Sequence, residues 1–418
     1  KVVTIYGQLY MAPVFWMTTT DMAAGDAFKF TIANVLGTFY VEWDDGIVTK
    51  YKDGAICTHN FANAGVYRIG LAGAPTVYLN NTVIDDNCGS KHNFTFSISK
   101  YWNEPLGDGT PLKLAKIEGS LGRVFPTLDN GTQADFALAF AGCSNLTGEI
   151  PVELFDGVYG QPIKGMFSML FAECSGLTGK IPDGLFGDLS GSYTESLFDR
   201  TFYGCSGLTG VIPEDLFGNL GGEPKKCMFI QTFYNNSGLV GKIPDKLFGN
   251  LDGAPARHMF RQTFTNCNKL GTEILGTEKS EYAIPENLFS GINGAPADYM
   301  YMGTFYGCSG LDGNIPENLF GNISGTPADY MYAETFSGCS GLDGNIPENL
   351  FGNISGAPAD YMYIGTFSGC SGLDDNIPNK LFGTFTGVDP KPAPNMFSRT
   401  FDGCSGLTGS IPDDLFNG

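Results

Sequence analysis

Histidine, tryptophan and positive charge are scarce in this 418-residue chain: three His, three Trp, and 24 Lys and Arg against 44 Asp and Glu. A net charge of −20 excludes nucleic acid and anionic membrane as partners, because phosphate binding requires clustered Lys and Arg. No apolar run approaches the ~20 residues of a bilayer-spanning helix, so no membrane insertion is expected within this chain. No signal peptide is visible either, and a start at Lys1 points to a processed or trimmed chain. The three His (His59, His92, His258) are scattered, and Gly-x-Ser-x-Gly, His-Glu-x-x-His, phosphate-loop and Cys-x-x-Cys motifs are missing. The chain reads as a non-enzyme that requires no cofactor.

What is abundant is glycine (58), proline (23) and apolar residues (42%, with 13% aromatic), enough for a large core with many turns. A phrase typified by residues 201–217, TFYGCSGLTGVIPEDLF, recurs to the C-terminus. Its anchor stands at Cys143, Cys174, Cys205, Asn236, Cys267, Cys308, Cys339, Cys370 and Cys404, a basic step of 31 residues with longer steps of 41 (Cys267 to Cys308) and 34 (Cys370 to Cys404). A fixed period of this size predicts a solenoid of about nine stacked units over residues 112–418. Within each unit an aromatic pair four apart, such as Phe198 and Phe202, predicts a short helix. Leu208 to Ile212, closed by Pro213, predicts a short strand. The array is therefore expected to be α/β, with a parallel sheet of short strands along one side. Residues 112–142 are expected to form a degenerate opening unit around Leu114 to Ile117.

The nine anchor positions are expected to form a buried structural ladder. Equivalent side chains on neighbouring coils point the same way, a poor geometry for disulfides, so these thiols act as small hydrophobes, with Asn236 holding the same turn. Of the remaining Cys, Cys57 and Cys88 are the candidate disulfide and Cys227 is left over. Residues 1–111 alternate in the manner of strands, at 28–32, 38–43, 67–71 and 94–98, with turn signals at Asp44-Asp45-Gly46 and Lys52-Asp53-Gly54, which predicts an all-β sandwich.

Two resemblances follow from these residues. Val41 to Gly46 with Thr58 to Tyr67 resembles the WGDG…HxYxxxGxY pattern of PKD-type immunoglobulin-like domains, with Asp44 in place of a Gly and Phe61 in place of a Tyr. That resemblance implies a spacer or adhesion module in which Trp43 packs between sheets and His59 braces a strand. The repeat resembles bacterial surface leucine-rich repeats of BspA type. It implies an extracellular or cell-surface protein that binds protein or glycan by adhesion. The competing expectation is a structural subunit that self-assembles into a filament or surface layer through exposed array ends.

Binding residues are sought where the repeat leaves positions free. Three nearly identical units carry Pro-Ala-Asp-Tyr-Met-Tyr, giving Asp298-Tyr299, Asp329-Tyr330 and Asp360-Tyr361. The second Tyr of each unit (Tyr301, Tyr332, Tyr363) aligns with Phe and is expected in the core. The first aligns with Gly165, Ser196, Cys227, His258 and Asn395, so it is expected to be exposed, in an aromatic and acidic stripe suited to stacking on sugars or anchoring a protein. Asp312, Asp343 and Asp374, each followed by an Asn two residues on, are candidate Ca²⁺ ligands. An inserted loop at Gly271 to Ala283, with Glu273, Glu278, Lys279 and Glu281, is a further candidate surface.

Overall fold

The computed structural model describes residues 2–5, 8–52, 55–73, 75–77, 83–88, 90–91, 94–99, 110–217, 219–248, 250–272, 283–320, 322–351, 353–374, 376–385, 392–413 and 415. Most of the inserted loop at 271–283, His92 and the last residues after Leu415 lie outside them. The described chain is all β and turn; its helical content is one 3-10 turn, Pro111–Lys113.

The N-terminal part holds two facing antiparallel sheets. In one, Leu114–Gly119, Phe15–Thr19, Arg68–Gly73, Thr38–Glu42 and Val48–Lys52 pair in that order. In the other, Ala27–Ile32 lies between Phe96–Ser97 and Ala55–Asn60. Alternation along the strands turns Phe15, Phe30, Phe39, Val41 and Phe96 inward, all fully buried. Phe15 meets Phe96 at 5.9 Å and Phe30 meets Trp43 at 6.1 Å. Trp43 donates from Nε1 to Thr49 Oγ1 at 3.0 Å, and His59 stacks on it at 5.0 Å while holding Asp45 at 2.6 Å. Leu114–Gly119, expected within the opening unit of the array, is thus an edge strand of the five-stranded sheet. It also begins the stack, since Thr147 N–H donates to Ala115 O.

The array is a stack of coils whose local structure corrects the expected α/β character. In the coil leading to Cys174, the N–H groups of Gly165, Phe167, Met169, Phe171 and Glu173 donate to carbonyls of Glu195, Leu197, Asp199, Thr201 and Tyr203 in the next coil. The intervening N–H groups, from Met166 to Cys174, donate three residues back. Every fourth residue is left-handed: Gly165, Met169 and Glu173 have φ of 66°, 55° and 61°. Positive φ at the third position of a four-residue turn marks a type II turn, so the segment is a ribbon of turns rather than a helix. Two turns advance four residues, which is why the Phe198 and Phe202 spacing imitated a helical face.

The parallel sheets lie elsewhere than expected. The paired strands are Ser190–Ser192, Asn219–Gly222 and Asn250–Leu251, then Asn293–Gly294, Asn322–Gly325, Asn353–Gly356 and Thr384–Phe385, all in the Gly-rich connections. The Leu-to-Ile segments contribute single bridges, such as Gly210 to Leu239.

Side chains rivet one coil to the next. Cys174, Cys205, Cys267, Cys308, Cys339, Cys370 and Cys404 each direct Sγ at an aromatic residue's carbonyl on the preceding coil, at 2.9–3.0 Å. Asn236 Nδ2 reaches Phe202 O at 3.0 Å in the same manner. Cys143 begins the row, whose members are buried as expected except for the last, Cys404, which is partly exposed. A parallel row of Thr hydroxyls, Thr201 to Thr400, does likewise four residues earlier. Between these rows the aromatic columns stack coil on coil, as Phe198 on Phe229 at 5.7 Å and Phe202 on Phe233 at 5.8 Å.

One hydrophobic core runs from the facing sheets through the array. Thr95 N–H donates to Asp135 O and Ile98 N–H to Ala139 O, so the edge of the smaller sheet is seated on the first coil. A disulfide fixes the union at a second point, and it is not the expected one: Cys88 bonds Cys227, across 139 residues. Cys57 lies opposite Phe30 inside the sheet core, fully buried and free, out of reach of a partner on the outer loop.

Candidate functional site

The sequence candidates Tyr299, Tyr330 and Tyr361 do come together. Their rings are parallel and 4.8 and 4.6 Å apart. His258, one coil earlier in the same column, continues the row at 4.6 Å from Tyr299. The column varies freely in residue type, and its backbone is nonetheless uniform. Gly165, Ser196, Cys227, His258, Tyr299, Tyr330, Tyr361 and Asn395 all have positive φ, between 52° and 66°. Left-handed backbone costs a non-glycine residue about 1–2 kcal/mol. Each stacked ring pair returns about 0.5–1.5 kcal/mol, so the tyrosines sustain their own conformation.

Stacking also decides what the stripe offers. The expectation of sugar rings lying on tyrosine faces fails for the inner rings, because each face is already covered by the next ring. The half-buried tyrosines present edges and hydroxyls to solvent. Burial, and then the neighbouring Tyr361, Tyr299 and the Asp329 and Asp360 carboxylates, hold the Tyr330 hydroxyl above its usual pKa.

Alongside runs the aspartate row. Asp329 N–H donates to Asp298 Oδ1 at 3.3 Å and Asp360 N–H to Asp329 Oδ1 at 2.9 Å. The next residue in this column is Pro394, which has no N–H, so the row of donated bonds ends at Asp360. The Asp298 and Asp329 carboxylates are thereby oriented by the next coil, and that of Asp360 is not.

Sequence reasoning passed over the residues at the other end of the stripe. Arg257 and Arg261 flank His258, and their guanidinium carbons lie 5.8 and 5.7 Å from the Tyr299 ring centre. Arg257 Nε is 3.9 Å from Asp298 Oδ2, while Arg261 has no carboxylate partner among the described residues. His258 is 2% exposed, and neither ring nitrogen has a hydrogen-bond partner. Burial first, then Arg261, Arg257 and Lys226, lower its pKa to about 4. The available signal was the departure of residues 257–261, Arg-His-Met-Phe-Arg, from the acidic units that follow.

The remaining candidates separate from this stripe. Asp312, Asp343 and Asp374 stand one per coil, and among the described residues no three His, Cys, Asp or Glu side chains form a metal-holding group. Near them a broad groove of about 1040 Å³ runs along Asn314, Pro316, Asn345, Pro347 and Asn376, rimmed by Glu286, Glu317 and Glu348. None of these groove residues has a buried side-chain polar atom without a partner. The ladder thiols are unsuited to nucleophilic chemistry, since burial pushes Cys308 up to about 12 and Cys404 up to about 11. No helix among the described residues is long and apolar enough to cross a membrane. No protein-family model, curated protein or solved structure matches the chain.

Proposed function

We propose that the chain is a non-enzymatic recognition protein of the cell surface or extracellular space, binding glycan or protein through the outer face of the array at Tyr299, Tyr330 and Tyr361. The observation that carries this reading is the locked row of tyrosines beside an equally spaced row of carboxylates, projecting from a rigid stack. Rings fixed by stacking lose little conformational entropy when a partner docks, the condition under which tyrosines contribute most to binding.

The sequence resemblances agree with this reading. A leucine-rich array of the bacterial surface type and a PKD-like sandwich would together make a spacer carrying a binding surface. Asp44, which stands where the PKD pattern has Gly, adopts φ of 66°, the conformation Gly takes most cheaply. His59 holds Asp45 and stacks on Trp43, a bracing role.

The test is adhesion of the purified chain to mucin-coated and cell surfaces, with its size measured in parallel. Binding by a monomer that is lost in Tyr330→Ala supports the proposal. Ordered polymers formed by the pure chain, with no binding by the monomer, would favour the self-assembling subunit instead.

A further inference from the structure

Three regions outside the core offer chemistry: the groove along Asn314, Asn345 and Asn376, the buried carboxylate of Asp199, and the cationic cluster at His258. The groove has no buried group wanting a partner, and Asp199 already has Arg200 Nη1 at 3.1 Å from both oxygens. The cluster at His258 is different. A neutral imidazole carries one N–H donor and one acceptor, and a buried one ordinarily satisfies both. Here both are unsatisfied, as are Arg257 Nε and Arg261 Nε. Three N–H donors on three neighbouring side chains, the two guanidinium Nε–H groups and the single imidazole N–H, thus make no hydrogen bond, with Arg257 Nε only within ion-pair distance of Asp298 Oδ2 at 3.9 Å, and in a chain of net charge −20 they lack the acceptor that such donors call for.

The neighbouring cations are accounted for. Lys226 is held toward Ile84 O and Asp86, at 3.4 and 3.5 Å, and Arg200 by Asp199 and Gln231. Arg261 is not neutralised in this way, and burial followed by Arg200 lowers its pKa. On the stripe side Tyr299 closes over His258 and leads to Tyr330 and Tyr361 with their aspartates.

We infer that Arg257, His258 and Arg261 form an oxyanion-binding subsite at the head of the tyrosine stripe, taking the carboxylate or sulfate of an acidic oligosaccharide whose remaining hydroxyls lie along Tyr299–Tyr361 and Asp298–Asp360. The charge pattern selects this class. A partner with one anionic group at the arginine end must be neutral and rich in O–H donors farther along, because it meets three carboxylates in succession. An acidic peptide would be repelled by that row, and a basic one by the arginines. Sugar hydroxyls suit carboxylates and tyrosine hydroxyls, and they do not need the ring faces that stacking has covered. The inference rests on the proposed recognition role of the stripe and names its ligand class.

The test applies the full chain to an array of neutral, carboxylated and sulfated oligosaccharides and acidic peptides, followed by titration of the binders. Acidic sugars are expected to bind about tenfold or more tightly than their neutral counterparts, as charge-assisted bidentate contacts imply. Arg257→Gln with Arg261→Gln should abolish that preference, and Arg257→Lys should restore it only in part, because Lys lacks the fork. In the unaltered protein, binding should shift the His258 ring signals and raise its pKa, a readout independent of whether any variant folds. Equal affinity for neutral and acidic sugars, with His258 unmoved, overturns the subsite but leaves the stripe as a binding surface. Preference for acidic peptides overturns the glycan assignment, and failure of every sugar and every surface to bind overturns both readings.

Discussion

Replacing Tyr332 by Phe should make the protein more stable. The Tyr332 ring is fully buried between Tyr301 and Tyr363, at 5.7 and 5.8 Å, and its hydroxyl has no hydrogen-bond partner. Burial raises its pKa, since the charged form would be still worse there. Phe260 and Phe229 occupy the same column two and three coils earlier, stacked at 5.6 Å, so a phenyl ring demonstrably fits. An unpaired buried hydroxyl costs about 1–3 kcal/mol, and losing one oxygen's contacts takes back a few tenths. The net expectation is a gain of about 1 kcal/mol, visible as a higher urea midpoint with unchanged slope. Tyr301→Phe and Tyr363→Phe should behave alike, because both hydroxyls are equally unpartnered. A loss of about 1 kcal/mol or more on Tyr332→Phe would refute the reasoning and show that the three hydroxyls share a buried hydrogen-bond network.

Other perturbations separate the remaining parts of the account. Asn236→Ala, which removes the bond to Phe202 O and leaves a void, should cost about 2 kcal/mol in chemical denaturation. Asn236→Cys should cost less than half as much, because Sγ makes the same bond elsewhere in the row and the buried Asn236 Oδ1 has no partner to lose. Non-reducing peptide mapping should find Cys88 joined to Cys227 and Cys57 free. Replacing the pair by Ser should cost up to about 5 kcal/mol, from the entropy of closing a loop of 139 residues. Acid titration should show two opposed contributions. Burial raises the folded pKa of Asp199 to about 6, against Arg200 and Ser168, so its contribution to stability declines as pH rises from about 4 to 6. The lowered pKa of His258 gives the reverse: stability present above 6.5 is lost as pH falls toward 4. Asp199→Asn should therefore expose a loss of stability in mild acid that the native protein partly masks; a flat profile in that variant contradicts the assignment.

The sequence made the stacking period, the buried anchor row and the inward Tyr301, Tyr332 and Tyr363 legible, because identical residues at a fixed step must face identical surroundings. It misled on local conformation. Phe198 and Phe202 are four apart in a helix and equally in a ribbon of alternating turns. The distinguishing signal was glycine recurring at intervals of four, as at Gly303 and Gly307 or Gly365 and Gly369, all with positive φ. The partner of Cys88 was hidden because the folding of two distant segments against each other, rather than spacing along the chain, brings it to Cys227. The tyrosine stripe could be placed from the alignment, but its covered faces could not, since ring orientation depends on the left-handed backbone beneath. The cluster at His258 was equally hidden, because it is defined by missing partners, which only the packed structure shows.

Where a ligand settles on the array separates the tyrosine stripe from every other surface. A crystal structure of the chain with the tightest-binding acidic oligosaccharide decides this most directly. The sugar is predicted to lie along Tyr299, Tyr330 and Tyr361, with its carboxylate or sulfate within hydrogen-bonding distance of Arg257 or Arg261. A sugar bound instead in the groove along Asn314, Asn345 and Asn376, with the tyrosine stripe bare, would contradict it.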